Sequence, residues 1–287
     1  FYKVSSSKTA NLVEKTKLLS TLRALKIHTL YYLAPSRKSL KQSRIDSRFF
    51  KLAGIKKIIG LLEKGDEINS NERPMPTLDQ EADLILSRLS KDGIDIPENG
   101  QGSMNLKISS QEKETVKNWG KSNLDPNANY YILSPGAMAS VKQWDIANYI
   151  GLARRLYDEH NLLPLINGIK ADHALAEQIC NKIPEAVNAC GLFSIRETVA
   201  VMAEGKFYLG NDGGGMHMAV CAGLKCVAIF SARDFPGKWY PYGNGHFVHR
   251  STVPCEGCWL DDCIEQKNVC LKNIEINDVF QSCIKLI

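Results

Sequence analysis

Between Tyr130 and Phe230 the chain alternates short apolar runs with stretches whose apolar residues recur every three or four positions. The first pattern predicts buried strands, the second amphipathic helices. Strands are expected at Tyr130–Ser134, Leu162–Asn167, near Ala189, at Phe207–Gly210 and at Cys226–Phe230. Helices are expected at Trp144–Glu159, Ala171–Ile183, Ile195–Ala203 and Met216–Ala222. The third opens with the capping box Ser194-x-x-Glu197. Such β-α-β-α repetition implies a parallel sheet wound by right-handed crossovers. Upstream, the pattern predicts helices at Leu12–Leu25, Ser39–Leu52 and Leu78–Leu89, with strands at Thr29–Leu33 and Ile55–Leu61. A polar, proline-bearing loop spans Glu67–Pro76, and Lys91–Leu106 is a Gly/Pro/Asn-rich connection. A helix at Gln111–Trp119 and the break Asp125-Pro126-Asn127 put the junction within 108–128, with domains of 1–120 and 121–287.

In open parallel sheets, ligands bind beyond the carboxyl ends of the strands. The run KFYLG ends at Asn211-Asp212, and Gly213, Gly214 and Gly215 lead into a helix carrying His217. Strand, glycine turn and helix can turn backbone N–H groups and a helix N-terminus toward a phosphate. Glycines there admit close approach and permit positive φ. The spacing matches neither the dinucleotide fingerprint G-x-G-x-x-G nor the P-loop, which removes the main support for NAD and ATPase readings. The competing reading is a tight turn beside a core histidine. Asp212 and His217 bracketing three glycines favour a ligand site.

Two further strand ends carry candidates. The loop Ser134–Trp144 offers small residues with free N–H groups, Lys142 to neutralise a phosphate, and Trp144 to anchor the loop. In Gly191-Leu192-Phe193-Ser194, Phe193 precedes a helix cap and could pack against a base or act as a hydrophobic staple. Lys238, His246 and Arg250 are weaker electrostatic candidates, for which surface roles are expected.

Composition narrows the function classes. At 287 residues the chain is long enough for two ordinary domains, and 44% hydrophobic with 23% charged residues is a globular balance. It holds neither an apolar run of 18 residues nor a secretory h-region. It opens at Phe1 on what reads as the middle of a domain, so a preceding portion is expected. The net charge of +5 conceals an asymmetry, with 14 Lys and Arg between Phe1 and Lys57 against Glu14 and Asp46. That segment is either a solvated helical surface or a face for anionic lipid headgroups or a phosphorylated acceptor. Nucleic acid fits poorly, because stacking aromatics are not interleaved with the basic residues.

All nine cysteines follow residue 179. Cys180, Cys190, Cys221, Cys226 and Cys283 sit in apolar contexts and read as small core residues. Cys255, Cys258, Cys263 and Cys270 form a cluster with x2, x4 and x6 spacings. A structural four-thiolate zinc site and reduced packing cysteines are the two readings of it.

The segments SPGAMASVKQW, GLFSIRETVAVM, GNDGGGMHMAVCAG and VAIFSARDFPGKWYPYG, followed by PCEGCWLDDC, occur in this order. Through them residues 128–287 resemble the C-terminal domain of glycosyltransferase family 9, the ADP-heptose:lipopolysaccharide heptosyltransferases and relatives. Residues 1–107 resemble the latter part of that family's acceptor domain through LLSTLRALKIHTLYYLAPSRKSL. The resemblance implies an α/β fold of GT-B type. Two Rossmann-like domains with parallel sheets would face a cleft, the N-terminal one incomplete in this chain. It implies inverting glycosyl transfer of a heptose or related sugar from a nucleoside-diphosphate sugar to a lipopolysaccharide-core or other surface-glycan acceptor. No cofactor would be required for catalysis. The enzyme would be cytoplasmic, peripheral at the cytoplasmic face of the inner membrane.

By matching motif, Ala137 and Met138 would lie against the donor diphosphate and Lys142 would bind it. Phe193 would pack on the base, and Asp212, Gly213, Gly214 and His217 would form the donor-binding turn. The sequence departs from the family in two places. Gly213 stands where the turn usually carries Ser or Thr, and Gly215 replaces the residue before Met216. The family's catalytic base, an aspartate in an N-terminal glycine-rich loop, has no counterpart here, so the catalytic residue is unassigned. The alternatives are a non-hydrolysing sugar-nucleotide epimerase, or a fragment that binds nucleotide-sugar without turning it over.

Overall fold

The computed structural model describes residues 8–287, with side chains described from Leu12 onward. Phe1 and Lys3 of the basic segment lie outside the described residues. The described residues divide into two compact units, one of residues 8–72 and 79–99, the other of residues 73–78 and 100–287.

The first unit holds α1 (Lys8–Ala24), β1 (Thr29–Tyr31), α2 (Leu40–Leu52), β2 (Lys57–Ile59) and α3 (Glu81–Lys91). Both strands are shorter than the apolar runs suggest, and they pair in parallel with Thr29 opposite Lys57. Helix α2 starts at a full capping box between Ser39 and Gln42. It covers a small core of Tyr32, Ala34 and Leu62, joined by Leu40, Phe50, Ile58 and Leu61. Helix α3 is fastened by polar groups one face apart. Glu81 accepts from the Ser36 backbone and hydroxyl, and Arg88 donates to the Ala34 carbonyl.

The second unit contains α4 (Ser110–Asn123), β3 (Asn129–Ser134), α5 (Ile146–His160), β4 (Leu162–Ile166), α6 (His173–Cys180) and β5 (Val187–Asn188). It continues with α7 (Ile195–Met202), β6 (Tyr208–Asn211), α8 (Gly214–Cys221), β7 (Cys226–Phe230), β8 (Phe247–Arg250), α9 (Val269–Lys272) and α10 (Ile276–Ile284). Its six strands are all parallel, in the order β5-β4-β3-β6-β7-β8. Counted from β3, that is the doubly wound order 3-2-1-4-5-6 of a Rossmann sheet. Strands β3, β4, β6 and β7 are buried almost throughout, which explains their unbroken apolar runs. Helix α5 shows the complementary logic. Asp145 caps it, Tyr149, Leu152, Ala153 and Leu156 face the core, and Asn161 ends it in the left-handed conformation.

The units part at 99/100 rather than at 120, so α4 belongs with the second. The reason is a set of long-range bonds. Arg196 on α7 pairs with Glu112 on α4 and donates to the carbonyls of Leu106 and Lys107. Trp119 meets Phe193 edge-on, with ring centroids 5.1 Å apart. Residues 73–78 join the same unit because the Leu78 amide donates to Pro236 and the Met75 amide to Glu256. There Gly237, at φ +86°, lets the Leu78 carbonyl sit 2.0 Å from where a Cβ would stand.

Strand β8 and helix α10 were not foreseen from the pattern. β8 is a half-buried edge strand without a clear apolar run, and α10 packs Val279, Phe280 and Cys283 inward at the chain end. Leu209, fully buried on β6, is expected to cost about 2–5 kcal/mol when replaced by alanine. All four tryptophans follow residue 118, so denaturant unfolding read by tryptophan fluorescence will report this unit.

Candidate functional site

The topological switch of the second sheet lies between β3 and β6, whose carboxyl ends release the 135–144 loop and the Asp212 turn. One side chain joins them. Asn211, 2% exposed at the end of β6, accepts through Oδ1 from the Trp144 amide (3.1 Å) and the Tyr149 hydroxyl (2.8 Å). Its Nδ2 donates to the carbonyls of Pro135 (2.8 Å) and Gly136 (3.4 Å). Both ends of the loop are therefore fastened to the strand that carries the turn.

Between these ends Lys142, in a 3-10 turn over Ser140–Lys142, reaches across to Asp212 with Nζ 2.6 Å from Oδ2. Asp212 is buried and its amide donates to Ile229, while the lysine side chain keeps 24% of its surface exposed. His217 lies beside them. Burial lowers its pKa, the Asp212 carboxylate opposes the shift, and the Lys142 ammonium adds to it. The imidazole is therefore held toward its neutral form. Met138 projects fully into solvent from the loop tip, and Ala137 is half-buried.

The glycines act differently from the expectation of positive φ. None of Gly213, Gly214 and Gly215 has a left-handed backbone, and Gly213 is extended at φ 179°. Their value is space. A Cβ on Gly214 would meet nothing within 4 Å, and one on Gly213 only the Asn211 carbonyl at 4.0 Å. Gly215 is constrained, since its Cβ would come 3.1 Å from the Tyr208 hydroxyl and 3.2 Å from Ser134 Oγ. Helix α8 starts at Gly213 without a side-chain cap, leaving its first N–H groups to an incoming acceptor.

Other carboxylates support the loop. The Asp172 carboxylate occupies the space that a Cβ on Gly136 or Gly168 would need, and its Oδ2 accepts from the Ile169 amide at 2.9 Å. Asp262 Oδ1 accepts from the Ser140 hydroxyl at 2.7 Å, and the Asp261 carbonyl accepts from Ser140 and Val141. Arg233 in turn holds the Asp261 carboxylate at 2.8 Å. The segment between Cys258 and Cys263 thus braces the turn that carries Lys142.

The four clustered cysteines do not converge as a set of metal ligands. Among the described residues no three His, Cys, Asp or Glu side chains come together to hold a metal ion, so the four-thiolate zinc reading is not met. Cys270 is buried on α9 within the core, whereas Cys258 and Cys263 are half-buried in the loop. Burial raises the Cys255 thiol, and Cys270, Cys258 and Cys263 are near enough to add to that shift. The other five behave as core or partly buried thiols.

Phe193 packs edge-on against Trp119 and the core. The weaker candidates have structural surroundings in place of surface ones. Lys238 is 1% exposed, His246 Nδ1 accepts from the Cys226 amide, and Arg250 bonds Glu256 and the Asp234 carbonyl. The site lies at the carboxyl ends of the two central strands, β3 and β6. A cavity of about 890 Å³ in the same unit lies between α4, α7 and α8 and is lined by neither the loop nor the turn.

Asn211, Tyr149, Asp172 and Asp262 were not given a role in the site by the sequence reading. A polar residue ending an all-apolar strand was the available signal for Asn211. Replacing it with aspartate keeps the shape but turns an acceptor toward the Pro135 carbonyl. That should destabilise the unit by roughly 1–3 kcal/mol in chemical denaturation. Asp262→Ala should leave the melting temperature nearly unchanged while increasing protease cleavage within 136–143. His217, His246 and His249 are all held below their ordinary pKa, chiefly by burial. Because the unfolded chain then binds more protons, stability should fall as pH drops below about 6.5. Thermal melts across pH 5–8 check this, and His217→Gln should flatten part of the slope.

The sequence profile of glycosyltransferase family 9 (heptosyltransferase) matches residues 49–269. Lipooligosaccharide heptosyltransferase 2 of Campylobacter jejuni subsp. jejuni is 27% identical over 161 residues, 54% of this chain and 50% of the relative. The chain thus spans about half the length of the curated relatives it matches. The E. coli ADP-heptose LPS heptosyltransferase II structure superposes with a TM-score of 0.65 at 21% identity, covering 96% of this chain and 81% of that one. The family 9 glycosyltransferase of Veillonella parvula gives a TM-score of 0.68 at 13% identity, covering 98% and 80%. With its profile match running from α2 to α9 and a fold of GT-B type, the chain belongs to glycosyltransferase family 9.

Proposed function

We propose that the chain is an inverting glycosyltransferase that moves a heptose or related sugar from a nucleoside-diphosphate sugar to a lipopolysaccharide-core or other surface-glycan acceptor. The observation that carries this is the Lys142–Asp212 pair beside the uncapped start of α8, at the switch point of a Rossmann-ordered sheet. A cation and helix N–H groups at one crevice suit a diphosphate. Family membership and the heptosyltransferase names of its relatives supply the sugar and the acceptor class.

In this reading the acceptor hydroxyl attacks the anomeric carbon and the bond to the diphosphate oxygen breaks. A base takes the hydroxyl proton, and the nucleoside diphosphate leaves. Lys142 swings from Asp212 onto the diphosphate and stabilises the charge that develops there, with the N–H groups at Gly214 and Gly215. Neutral His217 is available to hydrogen-bond a phosphate or sugar oxygen. The half-buried Ala137 and the exposed Met138 line the loop against the donor. The open space over Gly213 and Gly214 admits the donor where the family usually carries a hydroxyl. Asp172 is set to accept from ribose hydroxyls, as acidic residues do in dinucleotide sites. The base lies outside these residues, and no metal is called on.

The basic first unit supports a glycolipid acceptor at a membrane surface. No helix among the described residues is long and apolar enough to cross a membrane. The epimerase reading is weaker, because the family match is to sugar transferases.

Calorimetry with ADP and ADP-heptose tests the site. Lys142→Ala should weaken both by roughly 1.5–3 kcal/mol, the worth of a charge-assisted contact. Unchanged affinity would sink the assignment. Sugar rearrangement of the donor without an acceptor would favour the epimerase.

A further inference from the structure

Residues two apart on a strand share a face, so the Tyr208 side chain and Gly210 stand on the same side of β6. A Cβ on Gly210 would come 2.5 Å from the Tyr208 hydroxyl and 2.6 Å from the Ser134 carbonyl. The phenol therefore takes the room that a side chain at 210 would need, and runs along the strand toward the Asp212 turn. Its hydroxyl arrives beneath Gly215, in the first turn of α8, 3.1 Å from where a Cβ would be. Ser134, paired with Gly210 at the end of β3, brings a second hydroxyl to the same place, with Oγ 3.2 Å from that point. Both residues are buried, Tyr208 to 1% exposure. Burial raises the pKa of the phenol, so it stays a neutral hydroxyl.

A run of three glycines gives up more backbone freedom on ordering than other residues do. Here the run is held upstream by the Asp212 amide on the Ile229 carbonyl and downstream by the fully buried Met216. Between these anchors Gly213 and Gly214 border open space, and α8 starts without a side-chain cap. The two hydroxyls under Gly215 are thus the surface on which the start of the helix rests. The direction of its first N–H groups follows from that contact.

We propose that Tyr208 is a positioning residue for the nucleoside-diphosphate donor. With Ser134 it forms the floor that fixes the N–H groups of Gly214 and Gly215, and the absence of side chains at Gly210 and Gly215 admits it. This role rests on the donor reading of the turn, and it adds a residue that acts from beneath the site. It also sets a size rule, since a methyl at 215 and a hydroxyl at 208 compete for one space.

ADP is titrated calorimetrically against the whole chain, and each variant is melted without ligand. The parent and Lys142→Ala come first. A parent that does not bind ADP, or a Lys142→Ala chain that binds it equally well, strikes the donor reading and this role with it. With that reading standing, Tyr208→Phe keeps the ring and should weaken ADP binding about threefold or more. Gly215→Ala drives a methyl against the hydroxyl and should weaken it about tenfold. In Tyr208→Phe/Gly215→Ala the methyl moves into the vacated room, so affinity should rise above that of Gly215→Ala alone. Leu209→Val trims the other face of β6 and should lower the melting temperature without changing ADP affinity. Binding by Tyr208→Phe equal to the parent's overturns the proposal, as do single losses that simply multiply in the double variant. A loss in Leu209→Val as large as that in Tyr208→Phe overturns it too, because strand stability would then account for both.

Discussion

The candidate site depends on one buried amide. Asn211 has two N–H donors and two acceptor lone pairs, and the surrounding groups use all four. A buried polar group is costly when unpaired and rigidifying when fully paired. Here the pairing fixes a ten-residue loop at both ends against the strand that delivers Asp212. Without it, the loop that carries Lys142 would lose the bonds that tie both of its ends to β6. The amide one residue before Asp212 thus ties together the two elements that bring Lys142 and Asp212 into contact.

A second constraint acts from the far side. The Asp261–Asp262 segment bonds the turn at Ser140–Val141, and Arg233 holds that segment. This gives the cysteine-bearing loop a mechanical place in the site without a metal. The glycines follow the same economy of space. Gly215 is small because Tyr208 and Ser134 crowd it, whereas Gly213 and Gly214 are small where nothing crowds them. Open volume beside a cation and a helix N-terminus is what a diphosphate needs.

Legibility differed between the two units for a physical reason. Strands β3, β4, β6 and β7 are buried on both faces, so burial writes itself as continuous apolar sequence. In the first unit β1 and β2 are three residues each and partly exposed, and the flanking apolar residues are not strand. The edge strand β8 is half-buried and carries charge at Arg250, so its pattern is weak. Asp172 and Asp262 were invisible because each meets the donor loop across a fold distance that no spacing encodes.

The sequence by itself determined the α/β class, the parallel winding, the capped start of α7 and the candidates Lys142, Asp212 and His217. Periodicity, capping and strand-end chemistry are local, and neighbouring residues record them. Tertiary structure alone decided that Lys142 pairs with Asp212 and that Asn211 ties their elements together. It also decided that α4 belongs to the second unit, and that Lys238 is buried while His246 and Arg250 are hydrogen-bonded within the unit. Those outcomes depend on which strands become neighbours in the sheet. That order is selected by the burial of whole faces and the handedness of crossovers, which no short stretch of sequence contains.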